Sequence, residues 1–178
     1  MNKMNGTQAD FALIREERGR IVIGYGLKKI TGKKLYEWYE IYVPKAQINQ
    51  MSLQDVKDAI LKDINDRTDA KILNGYQFTP SGSEGPVTVW LSTENQHNFQ
   101  EAQRLQVIPV KFKLNEDENK QPIYHTFITT EELDAFYLGG VQYVQQCLNE
   151  GWAEKDCIDW APYEALFQTQ NQAEQAEE

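Results

Sequence analysis

The chain has 178 residues, enough for one sizeable core with a small appendage, and its 40% apolar and 25% charged content is that of a folded protein rather than a disordered one. Its net charge of −9 is uneven: residues 1–50 carry nine Lys/Arg against five Asp/Glu, and residues 51–178 carry nine against 22. So acidic a body repels phosphate backbones, which argues against nucleic acid as a partner, and no apolar run approaches the roughly 20 residues that would imply a membrane span.

Residues 1–10 are polar and read as a flexible N-terminus; without a secretory apolar stretch they imply synthesis in a cytoplasm. Residues 11–45 read as a β-meander. FALIREERGRI turns at Arg18-Gly19, and in GRIVIGYGL the residues Ile21, Ile23, Tyr25 and Leu27 alternate onto one face. The other face holds Val22, Gly24 and Gly26, so that strand is expected to lie against another backbone or to carry a bulge. Past the turn at Thr31-Gly32-Lys33, LYEWYEIYV has strong β propensity. A meander this short is too small for an independent core and must pack on its own chain or on another molecule.

The aromatics Tyr36, Trp38, Tyr39 and Tyr42 suit a half-buried sheet or a recognition surface for protein or glycan. With Lys28, Lys29, Lys33 and Lys34 they form the expected protein interface, an attachment surface for an acidic partner or an identical copy. Free strand edges in the meander strengthen that expectation.

Residues 46–167 read as an α+β core domain, a small antiparallel sheet with about three helices. A connector over 44–51 leads to Ser52 and Asp55, an approximate capping box with Asp in place of Glu or Gln. Leu53, Val56, Ile60, Ile64, Thr68 and Ile72 then mark one helix face, ended by Asn74-Gly75. A Gly/Ser/Pro loop over 76–86 precedes a strand over 87–92, and Thr93 with Gln96 opens a second helix to about 105. Ile108, Val110, Phe112 and Leu114 alternate, and the polar turn NEDENKQP joins them to IYHTFI as an antiparallel hairpin. Thr129 with Glu132 caps a third helix with the stripe Leu133, Phe136, Tyr137, Gly140, Val144 and Cys147 or Leu148, closing at Gly151. Gly139 and Gly140 in mid-helix imply close approach of another element. Residues 52–163 are expected to share one core, and 168–178 to form a disordered acidic tail.

No catalytic constellation emerges. His97 and His125 are 28 residues apart with no third ligand at useful spacing, and Cys147 and Cys157 match no zinc or redox motif. Asn115, Asp117, Asn119 and Gln121 have the spacing of a calcium loop, but Lys120 and Thr126 stand where Gly and Glu are required. The Gly82–Gly85 loop lacks the strand–turn–helix setting of a nucleophile elbow. The sequence therefore predicts no enzyme, and no catalytic, cofactor-binding or metal residues.

The stretches INDRTDAKILNGYQF, VTVWLSTENQHNF, VIPVKFKLNEDENKQPIYHTFITTEELDAFY and LNEGWAEKDCIDWAPY resemble a phage-associated domain of unknown function, found in tail-fibre and other virion proteins of tailed phages and prophages of gut bacteria. WYEIYVPKAQINQMSLQDVKDAI is similar to small modules from the same neighbourhood. The resemblance covers about two-thirds of the chain and carries no activity and no functional residues. It implies a non-enzymatic virion structural protein, a tail- or fibre-associated adaptor made in the bacterial host and built into the particle, with other virion proteins and identical copies as partners. A tail-fibre assembly chaperone and a host-directed enzyme or inhibitor are the alternatives.

Overall fold

A computed structural model describes residues 2–44 and 51–177. The chain is α+β, and its contacts divide it into two compact units, 1–65 with 153–178, and 66–152. The expected single core over 52–163 is thus two, and the connector expected over 44–51 lies almost wholly outside the described residues.

The first unit is built on a four-stranded antiparallel sheet, β1 (Asn2–Gly6), β2 (Ile14–Glu17), β3 (Arg20–Lys29) and β4 (Tyr36–Pro44), in the order β1-β4-β3-β2. Residues 1–10 were expected to be flexible, yet β1 pairs with β4 from Asn2↔Glu40 to Gly6↔Tyr36, and a 3-10 turn follows at Gln8–Asp10. NKMNG has no apolar alternation. The free edge of β4 orders it through backbone hydrogen bonds, which are blind to side chains. The β2–β3 turn falls at Arg18-Gly19, both at positive φ.

Both expectations for the glycine face of β3 are met. A Cβ on Gly24 would sit 2.4 Å from the Ala12 carbonyl oxygen, because residues 11–13 cross that face. At Gly26, with φ of +67°, the register jumps from Tyr25↔Tyr39 to Lys28↔Glu37, a bulge. On the opposite face Ile23 and Tyr25 share a core with Val56, Ile60 and Ile64 of α1 (Leu53–Asn74) and Tyr163 of α4 (Ala161–Glu177). The meander is therefore one wall of a core, and not a detachable module. Helix α4 continues through Glu177, so the expected disordered tail is helical over 168–177; its run of Gln, Ala and Glu contains no Gly or Pro to stop it.

In the second unit β5 (Tyr76–Phe78), inside the expected loop, pairs as a hairpin with β6 (Val87–Val89), which lies in the strand expected over 87–92 and is shorter than it. Strands β7 (Val110–Glu116) and β8 (Pro122–Phe127) form the expected antiparallel hairpin, and the Trp90 amide donates to the Leu114 carbonyl to tie the two ribbons together. In the β7–β8 turn, Asp117 Oδ1 accepts from the Asn119 and Gln121 amides, so this carboxylate closes the turn. Helix α2 (Thr93–Leu105) is capped by Ser92, one residue before the expected Thr93, while the Gln96 side chain donates through Nε2 to the Leu91 carbonyl. Phe136 of α3 (Thr130–Asp156) centres the core, with the rings of Phe127, Phe99 and Phe78 at 4.7, 4.8 and 5.0 Å.

Two glycines of α3 serve contact. Tyr76 lies across Gly139 and Gly140, the close approach expected there, and its hydroxyl donates to the Phe136 carbonyl. At Gly151 the helix does not close as expected but runs on to Asp156, because this glycine makes room for Thr68, whose Oγ1 would be 2.4 Å from a Cβ.

Candidate functional site

A recess of the first unit lies beside the bulge in β3. The bulge places one extra residue in β3 opposite β4, and the groove beside it has a volume of about 610 Å³. Its floor is aromatic. Tyr25 and Tyr39 stack at 5.5 Å, and Tyr163 completes the lining from α4. Hydrogen bonds fix these rings: Tyr25 donates to Asp63 Oδ2 at 2.6 Å, and Tyr163 donates to the Gly24 carbonyl at 2.6 Å. Burial, and then the charge of Asp159, raise the Tyr163 pKa, so the hydroxyl stays protonated and remains a donor.

The rim is charged. Lys3 reaches across β1–β4 to Glu37 at 2.8 Å, and that hydrogen bond raises the lysine pKa and lowers the glutamate's. Exposed Lys28 lies on the same rim. Cys157 also lines the groove as an exposed free thiol, and Cys147 is a free thiol buried in the second unit, as expected. Tyr25 and Tyr163 are buried, so the half-buried rings of Tyr39 and Phe11 are the aromatic surface the groove presents. With a charged rim they suit an apolar side chain of a partner flanked by residues that pair with the rim.

Of the eight sequence-predicted interface residues, the groove gathers Trp38, Tyr39 and Lys28. Tyr42 lines a smaller recess of about 190 Å³ with Glu17, Arg18 and Arg20. Tyr36 is half-buried, and Lys29, Lys33 and Lys34 are exposed away from the groove. Trp38 needs correction. It is only 3% exposed, packs edge-on to Phe11 and donates through Nε1 to Glu40, so it cannot supply a broad contact face. The reason is Glu40, 1% exposed and held by a fork from Arg15 at 2.8 and 3.1 Å, by Trp38 at 3.0 Å and by the Tyr42 hydroxyl at 2.8 Å. These donors, Arg15 foremost, outweigh the effect of burial and lower its pKa to about 2. Sequence reasoning missed Lys3, Phe11, Cys157 and Tyr163, which reach the groove from the two ends of the chain. No local pattern could join them.

The histidines lie elsewhere. His97 is exposed on α2. His125 Nε2 meets Glu132 Oε1 at 3.0 Å, and the same oxygen accepts the Ser81 amide at 2.8 Å. Burial alone would raise the Glu132 pKa, but the Ser81 amide and His125 bring it below its ordinary value. Glu132 thus ties both β8, through His125, and the β5–β6 loop, through Ser81, to the first turn of α3. No three His, Cys, Asp or Glu side chains converge as a metal site among the described residues, and no helix among them is long and apolar enough to cross a membrane. No protein-family model, curated protein or solved structure matches the chain.

Proposed function

We propose that the chain is a non-enzymatic assembly component of a tailed-phage particle, an adaptor beside tail or fibre that holds a segment of a neighbouring virion protein. The groove beside the β3 bulge supports this reading most: half-buried Tyr39, held against buried Tyr25, offers a fixed apolar seat, and Lys28 stands on its rim. The resemblance to phage-associated domains supplies the context. The occupant is a segment with an apolar anchor residue and acidic neighbours, because the seat is aromatic and Lys28, Lys29, Lys33 and Lys34 are all exposed on the same meander.

A photo-crosslinking residue at Lys28 tests this during particle assembly. The expected product joins the chain to an acidic segment of another virion protein and is retained in purified particles. A cross-link to a fibre protein in lysate that is missing from particles would support an assembly chaperone instead. Cross-links confined to the chain itself would overturn the groove as an attachment site.

A further inference from the structure

The outer face of the β7–β8 hairpin carries a pattern that neither the core nor the groove uses. Lys111 and Lys113 of β7 stand opposite Thr126 and Tyr124 of β8, and all four are exposed. The two cations lean in opposite directions. Lys113 Nζ pairs with Glu116 at 2.5 Å and lies 5.5 Å from the centre of the Trp90 ring. Lys111 Nζ instead crosses onto β8 and sits over the Tyr124 ring, 4.3 Å from its centre. It pairs with no carboxylate among the described residues. Tyr124 is 52% exposed, and Ile128, just past the end of β8, is 70% exposed. The far edge of β8 is open: among the described residues only β7 pairs with this strand, and no other backbone hydrogen bond reaches it.

We propose that β8 accepts an extended acidic segment of a partner protein as a further strand, with a carboxylate of that segment paired to Lys111. The open edge supplies backbone donors and acceptors for such pairing, and β8 spans six residues, enough to hold a segment of similar length. A strand added there lies about 4.8 Å from β8, so its outward side chains stand beside Tyr124 and Thr126. Lys111 has already carried its ammonium onto that row, where a glutamate or aspartate of the partner meets it. Charge selects the occupant. Residues 105–115 hold Lys111 and Lys113 and no acid, and residues 119–130 hold Lys120 and no acid. The carboxylates of the hairpin, Glu116, Asp117 and Glu118, stand together at its turn. A second copy pairing β8 with β8 is disfavoured, because it brings two Lys111 ammoniums to one face with no carboxylate between them. An acidic polysaccharide neutralises Lys111 but has no amides to continue the strand ladder.

This inference rests on the second unit alone and stands apart from the groove. Fluorescence anisotropy of the full chain tests it with three labelled probes: an eight-residue peptide of alternating Glu and Val, the same peptide with all its amides N-methylated, and an oligogalacturonate. The wild type is expected to bind the first peptide, more weakly as salt rises, and to ignore the other two. Lys111→Glu, at an exposed position, is expected to weaken that binding at least about tenfold. A peptide of alternating Lys and Val should then bind the variant more tightly than the wild type. The N-methylated probe leaves the protein untouched, so that comparison holds whatever the variant does to folding. Failure of the first peptide to bind the wild type at millimolar concentration overturns the proposal. So does equal binding of the N-methylated peptide, a preference for the oligogalacturonate, or indifference to Lys111→Glu in a folded variant. Dimerisation of the peptide-free chain that shields the β8 amides from hydrogen exchange overturns it as well.

Discussion

Glu40 makes folding stability depend on acid in a way that one substitution can isolate. Its carboxylate is 1% exposed and accepts four hydrogen bonds, from Arg15 twice, Trp38 and Tyr42. Its folded-state pKa falls from 4.5 to about 2. A depressed carboxylate pKa means that the folded state holds the charged form more tightly than the unfolded chain does. The resulting stability is complete above the unfolded value and is lost as pH falls through the folded one. At about 1.36 kcal/mol per unit, the contribution is about 3 kcal/mol at pH 7, about 1.5 kcal/mol at pH 3 and under about 0.5 kcal/mol at pH 2. In Glu40→Gln the shape is kept and the charge removed, leaving the Arg15 guanidinium with Glu17 at 3.3 Å as its carboxylate partner. Urea unfolding followed by tryptophan fluorescence, at several pH values for both proteins, reads the difference directly. The gap in unfolding free energy should be widest near neutrality and close between pH 4.5 and 2. Parallel curves across that window would refute the assignment, since every other carboxylate is common to both proteins.

Three further perturbations follow from the packing. Gly151→Ala should destabilise the chain although alanine favours helix by about 1 kcal/mol, because the new methyl meets Thr68; adding Thr68→Ala should recover part of the loss in a double-mutant cycle on thermal unfolding, and a neutral single variant would contradict the contact. Deleting residues 1–45 removes Ile23 and Tyr25 from their core, so the remainder should lose cooperative unfolding by calorimetry; a truncated chain with an unchanged, sharp transition would show the meander to be dispensable. Native alkylation should modify Cys157 alone and denatured alkylation both thiols, by intact mass without reductant; rapid native labelling of Cys147 would contradict its burial.

Periodicity made the helical frame legible. Val56, Ile60, Ile64 and Ile72 repeat at helical spacing, and all are buried on α1. The β7–β8 hairpin was legible because a short polar turn between two alternating segments permits little else. What escaped lay outside local pattern. β1 is a strand because β4 offers an edge, and the three-residue strand β5 is too short to establish a period. Gly151 reads as a stop signal in sequence, but packing against Thr68 uses it for space. Of the candidate site, the aromatic strand was visible but its facing was not. Glu40 reads as a solvent-facing residue, yet it is buried because Arg15, 25 residues earlier, supplies a counter-charge. That pairing turns Trp38 inward and leaves Tyr39 and Lys28 to the groove.

The assembly role is tested most directly by quantitative mass spectrometry of purified phage particles, with the chain either wild type or carrying Lys28→Glu and Lys29→Glu. Both lysines are exposed, so the double variant should fold normally and act only on attachment. The account predicts the wild-type chain at a fixed copy number per particle and a marked fall in incorporation for the charge-reversed chain. Absence of the wild-type chain from purified particles would contradict it.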